Sequence, residues 1–109
     1  MTVATTILNQ LGGKRFAMMT GSKDFYDLGN TLKMTLAGNK SKANRLDITL
    51  TGNDDYTLTF YKYTPVRVNL KKLTVKDSSV SLVSKHEGIY FDQLEELFTR
   101  TTGLYTRLF

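Results

Sequence analysis

The chain has no cysteine, one proline and one histidine in 109 residues. Without cysteine it can form neither a disulfide framework nor a thiolate zinc site, and a reducing compartment is favoured. No apolar run approaches the roughly eighteen residues that a transmembrane helix needs. Met1 to Leu11 also lacks the basic-then-apolar order of a signal peptide, so neither secretion nor a membrane partner is expected. No nucleophile elbow, zinc-binding helix or dinucleotide fingerprint is present. Gly12-Gly13-Lys14-Arg15 resembles a phosphate loop only in composition, because it follows a helix and opens a strand; it reads as a helix stop. His86 beside Glu87 is a pairing some general bases use, but a lone histidine at a strand end is an ordinary surface residue. Asp92, Glu95 and Glu96 cluster on one helical turn, where acids stabilise a helix start without any ligand. No catalytic residue, metal site or cofactor is therefore assigned, and a non-enzymatic protein is expected.

The composition is that of a globular chain, 40% hydrophobic and 23% charged, of a length that suits one domain over residues 1–109. The net charge of +5 is uneven. Residues 1–76 carry 12 Lys/Arg against 5 Asp/Glu, a balance of +7, while residues 77–109 carry 3 against 5, a balance of −2. A one-sided basic surface is the footprint of a protein that meets phosphate or an acidic partner.

Periodicity supplies the elements. Val3, Ile7, Leu8 and Leu11 share a helical face, with Thr2 as N-cap and Gly12-Gly13 as stop. A period of two begins at Arg15, giving a first strand through Phe16 and Met18 that Gly21-Ser22 ends, and Lys23 to Asn30 reads as a connecting loop. Leu32/Met34/Leu36, Leu46/Ile48/Leu50 and Tyr56/Leu58/Phe60 alternate with polar residues as three strands of an antiparallel meander, and Gly52-Asn53-Asp54-Asp55 makes a tight turn. Val66 to Val75 reads as one strand with a bulge at Lys71-Lys72, and a last strand runs from Val80 to Gly88. Phe91, Leu94, Leu97, Phe98 and Thr101 form the stripe of a C-terminal amphipathic helix that Gly103 ends. The predicted fold is α+β: a short N-terminal helix, a sheet of about six antiparallel strands, and a C-terminal helix packed on it.

The sheet face away from the core is the candidate site. Arg15, Lys33, Arg45, Tyr61, Lys62, Tyr63, Arg67, Lys71 and Lys72 fall on it or close to it, among threonines. Cations can follow a phosphate backbone while Tyr61 or Tyr63 stacks a base, which suits single-stranded nucleic acid; an ordinary solvated sheet has the same composition. Beyond the helix, Leu104, Tyr105, Leu108 and Phe109 are too apolar for a free tail and suggest a subunit or partner interface, including a homodimer.

LNQLGGKRFAMMTGSKDF, LDITLTGNDDYTLTF and HEGIYFDQLEELFTRTTGLYT, in that order, resemble a group of small accessory proteins of bacteriophages and other mobile elements of bacteria. That resemblance implies a setting, the cytoplasm of a bacterial host, and no activity. Within it two functions are expected of a small basic protein: binding single-stranded nucleic acid, or binding and disabling a bacterial host protein.

Overall fold

Leu32, Met34, Leu46, Ile48, Leu58 and Phe60 are at most 2% exposed, all on one face of an antiparallel sheet, because alternation in three paired strands sends every second side chain the same way. The computed structural model describes residues 2–106 and is α+β, as the sequence predicts. Its strands are β1 (Lys23–Asp27), β2 (Thr31–Thr35), β3 (Arg45–Leu50), β4 (Tyr56–Thr64), β5 (Arg67–Asn69), β6 (Thr74–Lys76) and β7 (Ser79–Ile89). Five of them form one sheet in the order β1-β2-β3-β4-β7, and β5 and β6 form a separate two-stranded sheet.

Three helices close the apolar face: α1 (Val3–Leu11), α2 (Lys14–Thr20) and α3 (Leu94–Thr102). Ile7, Leu11, Phe16, Leu94, Leu97 and Phe98 come down from them onto the sheet, and the rings of Phe16 and Phe98 meet edge to face at 4.9 Å. Among the described residues no helix is long and apolar enough to cross a membrane.

Three segments differ from their sequence reading. The stretch after Arg15, predicted as a strand, is α2. Phe16 is fully buried while Met18 is 79% exposed, which a strand placing both on one face would not give. Thr20, one turn on, is buried and donates its hydroxyl to the Phe16 carbonyl at 2.8 Å. Lys, Arg, Ala and Met are good helix formers, and Gly21 (φ +71°) closes the helix with its N–H on the Ala17 carbonyl. Lys23 to Asn30, predicted as a loop, contains edge strand β1. An irregular register between Lys23 and Tyr26, with Asp24 at φ +55°, hides its alternation.

The C-terminal helix is where it was expected, with a change at its start and with Thr102 rather than the expected Thr101 as the buried residue at its end. Phe91–Gln93 is a 3-10 turn that rotates Phe91 off the stripe, so Phe91 is 62% exposed while Leu94, Leu97, Phe98 and Thr102 are buried. Gly103 caps the end at φ +77°, donating to the Thr99 carbonyl at 2.7 Å.

The third difference is the largest. Val66 to Val75 is not one bulged strand but a hairpin, β5–loop–β6. Thr64 pairs with Ser79 and Arg67 with Lys76, three residues on in each strand, so the hairpin continues the β4–β7 ladder in unbroken register. The interruption lies at Pro65, which has no N–H to give the ladder. β4, β5, β6 and β7 thus form one long ribbon that leaves the sheet where β3 begins, at Arg45 opposite Tyr61. The ribbon stretches the molecule to 50 × 33 × 24 Å. It also raises the radius of gyration to 15.2 Å, against about 13 Å for a compact chain of this length.

Candidate nucleic-acid interface

Unbroken register gives the ribbon two distinct faces. Tyr61 with Leu82, Tyr63 with Val80, Arg67 with Lys76, and Asn69 with Thr74 share one face, which continues the outer face of the sheet. The opposite face carries Lys62 with Ser81, Thr64 with Ser79, and Val68 with Val75. At the tip, Asn69 accepts the N–H groups of Lys71 and Lys72 on its side-chain oxygen at 3.1 Å each, which folds the loop and holds both lysines at the end of the ribbon.

The candidate residues separate accordingly. Arg67, Lys71 and Lys76 line an open hollow of about 550 Å³ with Asn69, Thr74 and the apolar Val68 and Leu70. Among the described residues, Arg67, Lys71, Lys72 and Lys76 make no ion pair. Lys33 and Arg45 lie on the outer sheet face, opposite Asp47 and Tyr61 respectively, and each is laid against an aromatic ring. Lys33 Nζ is 5.7 Å from the Tyr61 ring centre and the Arg45 guanidinium 5.3 Å from that of Tyr63. The Tyr61 hydroxyl, then the Asp47 carboxylate, hold the Lys33 ammonium above its ordinary range despite some burial.

Three expectations are corrected. Arg15 is not on the sheet face: it sits on α2, donates to the Thr106 carbonyl at 3.1 Å and pairs with Glu95 at 3.1 Å, tying the helical layer together. Tyr61 does not offer a ring for stacking, because it is only 9% exposed and its hydroxyl donates to Asp47 at 3.1 Å. Burial pushes its phenol pKa up, with the Lys33 ammonium opposing that shift. Lys62 is exposed but on the opposite face of the ribbon. Tyr63 is half-buried on the expected face beneath Arg45.

Two cations of this surface were not singled out in the sequence. Lys76, which lies between the two strands predicted over Val66–Val75 and Val80–Gly88, faces Arg67 across the hairpin. Lys85 stands opposite Thr59 on the outer sheet face and pairs loosely with Glu87 at 3.4 Å, both being exposed. The signal for Lys76 was the mirror spacing of Arg67-x-Asn69 and Thr74-x-Lys76 about Lys71-Lys72, which marks a hairpin as readily as a bulge.

Of the tail, Leu104 packs against the core, Thr106 is buried with its hydroxyl on Glu95 at 3.1 Å, and Tyr105 is 70% exposed. Leu108 and Phe109, the other two expected interface residues, lie outside the described residues.

The outer sheet face and the basic ribbon face form one surface. No protein-family model, curated protein or solved structure matches the chain.

Proposed function

We propose that this chain is a non-enzymatic accessory protein of a phage or mobile element that binds single-stranded nucleic acid in the cytoplasm of its bacterial host, using the basic face of the β4–β7 ribbon. The observation that carries the reading is the hollow lined by Arg67, Lys71 and Lys76, whose charges have no ion-pair partner among the described residues. Three cations beside Asn and Thr side chains present donors for phosphate oxygens. Lys33 and Arg45 extend the positive strip along the sheet. Recognition on this surface rests on phosphate contacts, with Tyr63, which a base could reach by displacing Arg45, and the exposed Tyr26 opposite Lys33 as rings on the same face.

The test is fluorescence anisotropy with an unstructured oligonucleotide of about 20 nucleotides, long enough for one such site. Expected is binding at low salt that Arg67→Gln/Lys71→Gln/Lys76→Gln weakens at least about tenfold while leaving it measurable. No binding at low salt by the folded chain would overturn the reading.

A second function, contact with a bacterial host protein, is favoured by Tyr105, 70% exposed beside a groove lined by Glu95, Glu96, Thr99 and Arg100. A stoichiometric protein partner recovered from host lysate after nuclease treatment, and lost in Tyr105→Ala, would support it.

A further inference from the structure

The ribbon face opposite Arg67 and Lys76 carries Lys62 near the sheet but is apolar toward its tip, where Val68 and Leu70 also reach the cationic hollow, and among the described residues it is uncovered. Val68 and Val75 are paired across the strands, Val66 precedes them, and Leu70 and Leu73 flank the tip lysines. The five are 56–87% exposed. Leu73 is the most exposed and is held at φ +53°, a conformation costly for a residue with a branched side chain. Isolated two-stranded hairpins are marginal in water, and this one has three-residue strands that are exposed throughout, with no sheet or helix layered on them among the described residues. It lacks the cover that its own composition calls for.

We propose that the cover is a second copy of the same ribbon, packed face to face about a two-fold axis near Val68 and Val75 to give a small, reversible dimer. Area and charge both select this occupant. An exposed aliphatic side chain carries roughly 60–120 Å² of apolar surface, so the five, at their observed exposures, offer about 200–400 Å² per copy. A weak, transient interface buries up to about 600 Å² per partner, a little over half of it apolar. The face therefore matches a reversible dimer and falls short of an obligate one. Asp77 is the only acidic residue between Lys62 and Ser84, and it stands at the base of the apolar face, opposite Val66 in the register. In an antiparallel two-fold arrangement the tip of one ribbon lies over the base of the other, bringing Lys71 and Lys72 of each copy toward Asp77 of its partner. A parallel arrangement would instead stack four tip lysines. The identical aliphatic faces need no further pattern to match, which is the condition for an isologous contact. Arg67 and Lys76 remain outside on both copies, and Lys71 is the one cation shared with the proposed phosphate site, so association is measured without oligonucleotide.

Sedimentation equilibrium of the nuclease-treated full chain tests it. The mass should rise with concentration from 12.3 kDa toward twice that value, with a midpoint in the range of about 1–100 µM. Val68→Ser/Val75→Ser should stay monomeric across that range with an unchanged far-ultraviolet spectrum, since both side chains are exposed in the monomer. Asp77→Lys should weaken the dimer at least about tenfold, and Lys71→Asp/Lys72→Asp in the same chain should restore it. As the chain has no cysteine, Val75→Cys gives a single thiol, and mild oxidation should convert it to a covalent dimer faster than Met18→Cys on the helical side. A wild-type chain monomeric throughout would overturn the proposal, whatever the covering partner then proved to be. So would a dimer indifferent to Val68→Ser/Val75→Ser, or a failure of the charge reversal to restore association.

Discussion

Truncating Phe16 tests the helical layer most sharply, because the helix and the strand assign it different neighbours. In α2 the ring is fully buried and meets Phe98 edge to face at 4.9 Å, while Met18 is 79% exposed. Phe16→Ala should then cost about 3–5 kcal/mol, the range for a buried phenylalanine that leaves a cavity. Of that loss about 0.5–1.5 kcal/mol belongs to the aromatic pair and should emerge as coupling in a double-mutant cycle with Phe98→Leu. Met18→Ala should stay within about 0.5 kcal/mol, as an exposed substitution does. At about 4–8 °C per kcal/mol for a domain near this size, a loss of about 4 kcal/mol lowers Tm by about 15–30 °C. Since total stability is on the order of 5–15 kcal/mol, Phe16→Leu, expected to cost under about 1.5 kcal/mol, provides a folded comparison. Urea unfolding followed by circular dichroism measures all four. Equal costs for Phe16→Ala and Met18→Ala would refute the helix, because two residues apart on a buried strand they would share one face.

Other consequences are open to direct measurement. Tyr61, Tyr56 and Lys33 all have raised pKa values, Tyr61 and Tyr56 chiefly through burial and Lys33 chiefly through Tyr61. The native state therefore holds protons that the unfolded chain releases, so stability should be flat through neutral pH and fall as pH rises beyond about 10. Tyr61→Phe should blunt that fall; an unaltered alkaline limb would count against the buried phenol. Arg15→Ala removes a hydrogen bond to Thr106 and an ion pair to Glu95 from a side chain half exposed, and should cost about 0.5–1.5 kcal/mol. It should leave oligonucleotide affinity within about twofold, an energy difference of about 0.4 kcal/mol; a large loss would put Arg15 back on the binding surface.

What could be read from the sequence follows from how strongly each element repeats. β2, β3 and the Tyr56–Phe60 part of β4 alternate cleanly, and α1 and α3 keep a stripe at spacings of three and four, so their faces were plain. Seven residues are too few for α2 to separate the two periods, and Phe16 with Met18 imitates a strand. β1 was hidden by its irregular register. In the candidate site the cations were visible and their grouping was not. Lys71-Lys72 as a bulge leaves Arg67 and Lys76 unrelated, whereas the hairpin sets them side by side. Tyr61 looked available because alternation gives the face of a residue, not the contacts from Asp47 and Lys33 that cover it.

The salt dependence of oligonucleotide binding, compared between two variants, tests the central claim that the ribbon's basic face carries the phosphate contacts. Each phosphate contact on a single strand contributes about 0.7 to the slope of log affinity against log salt, so removing three should flatten it by about 2. Arg67→Gln/Lys71→Gln/Lys76→Gln is expected to show that loss. Lys33→Gln/Arg45→Gln, whose cations already lie against Tyr61 and Tyr63, is expected to change the slope by less than about 0.7. An unchanged slope in the ribbon variant, or the full loss in the sheet-face variant, would contradict the assignment.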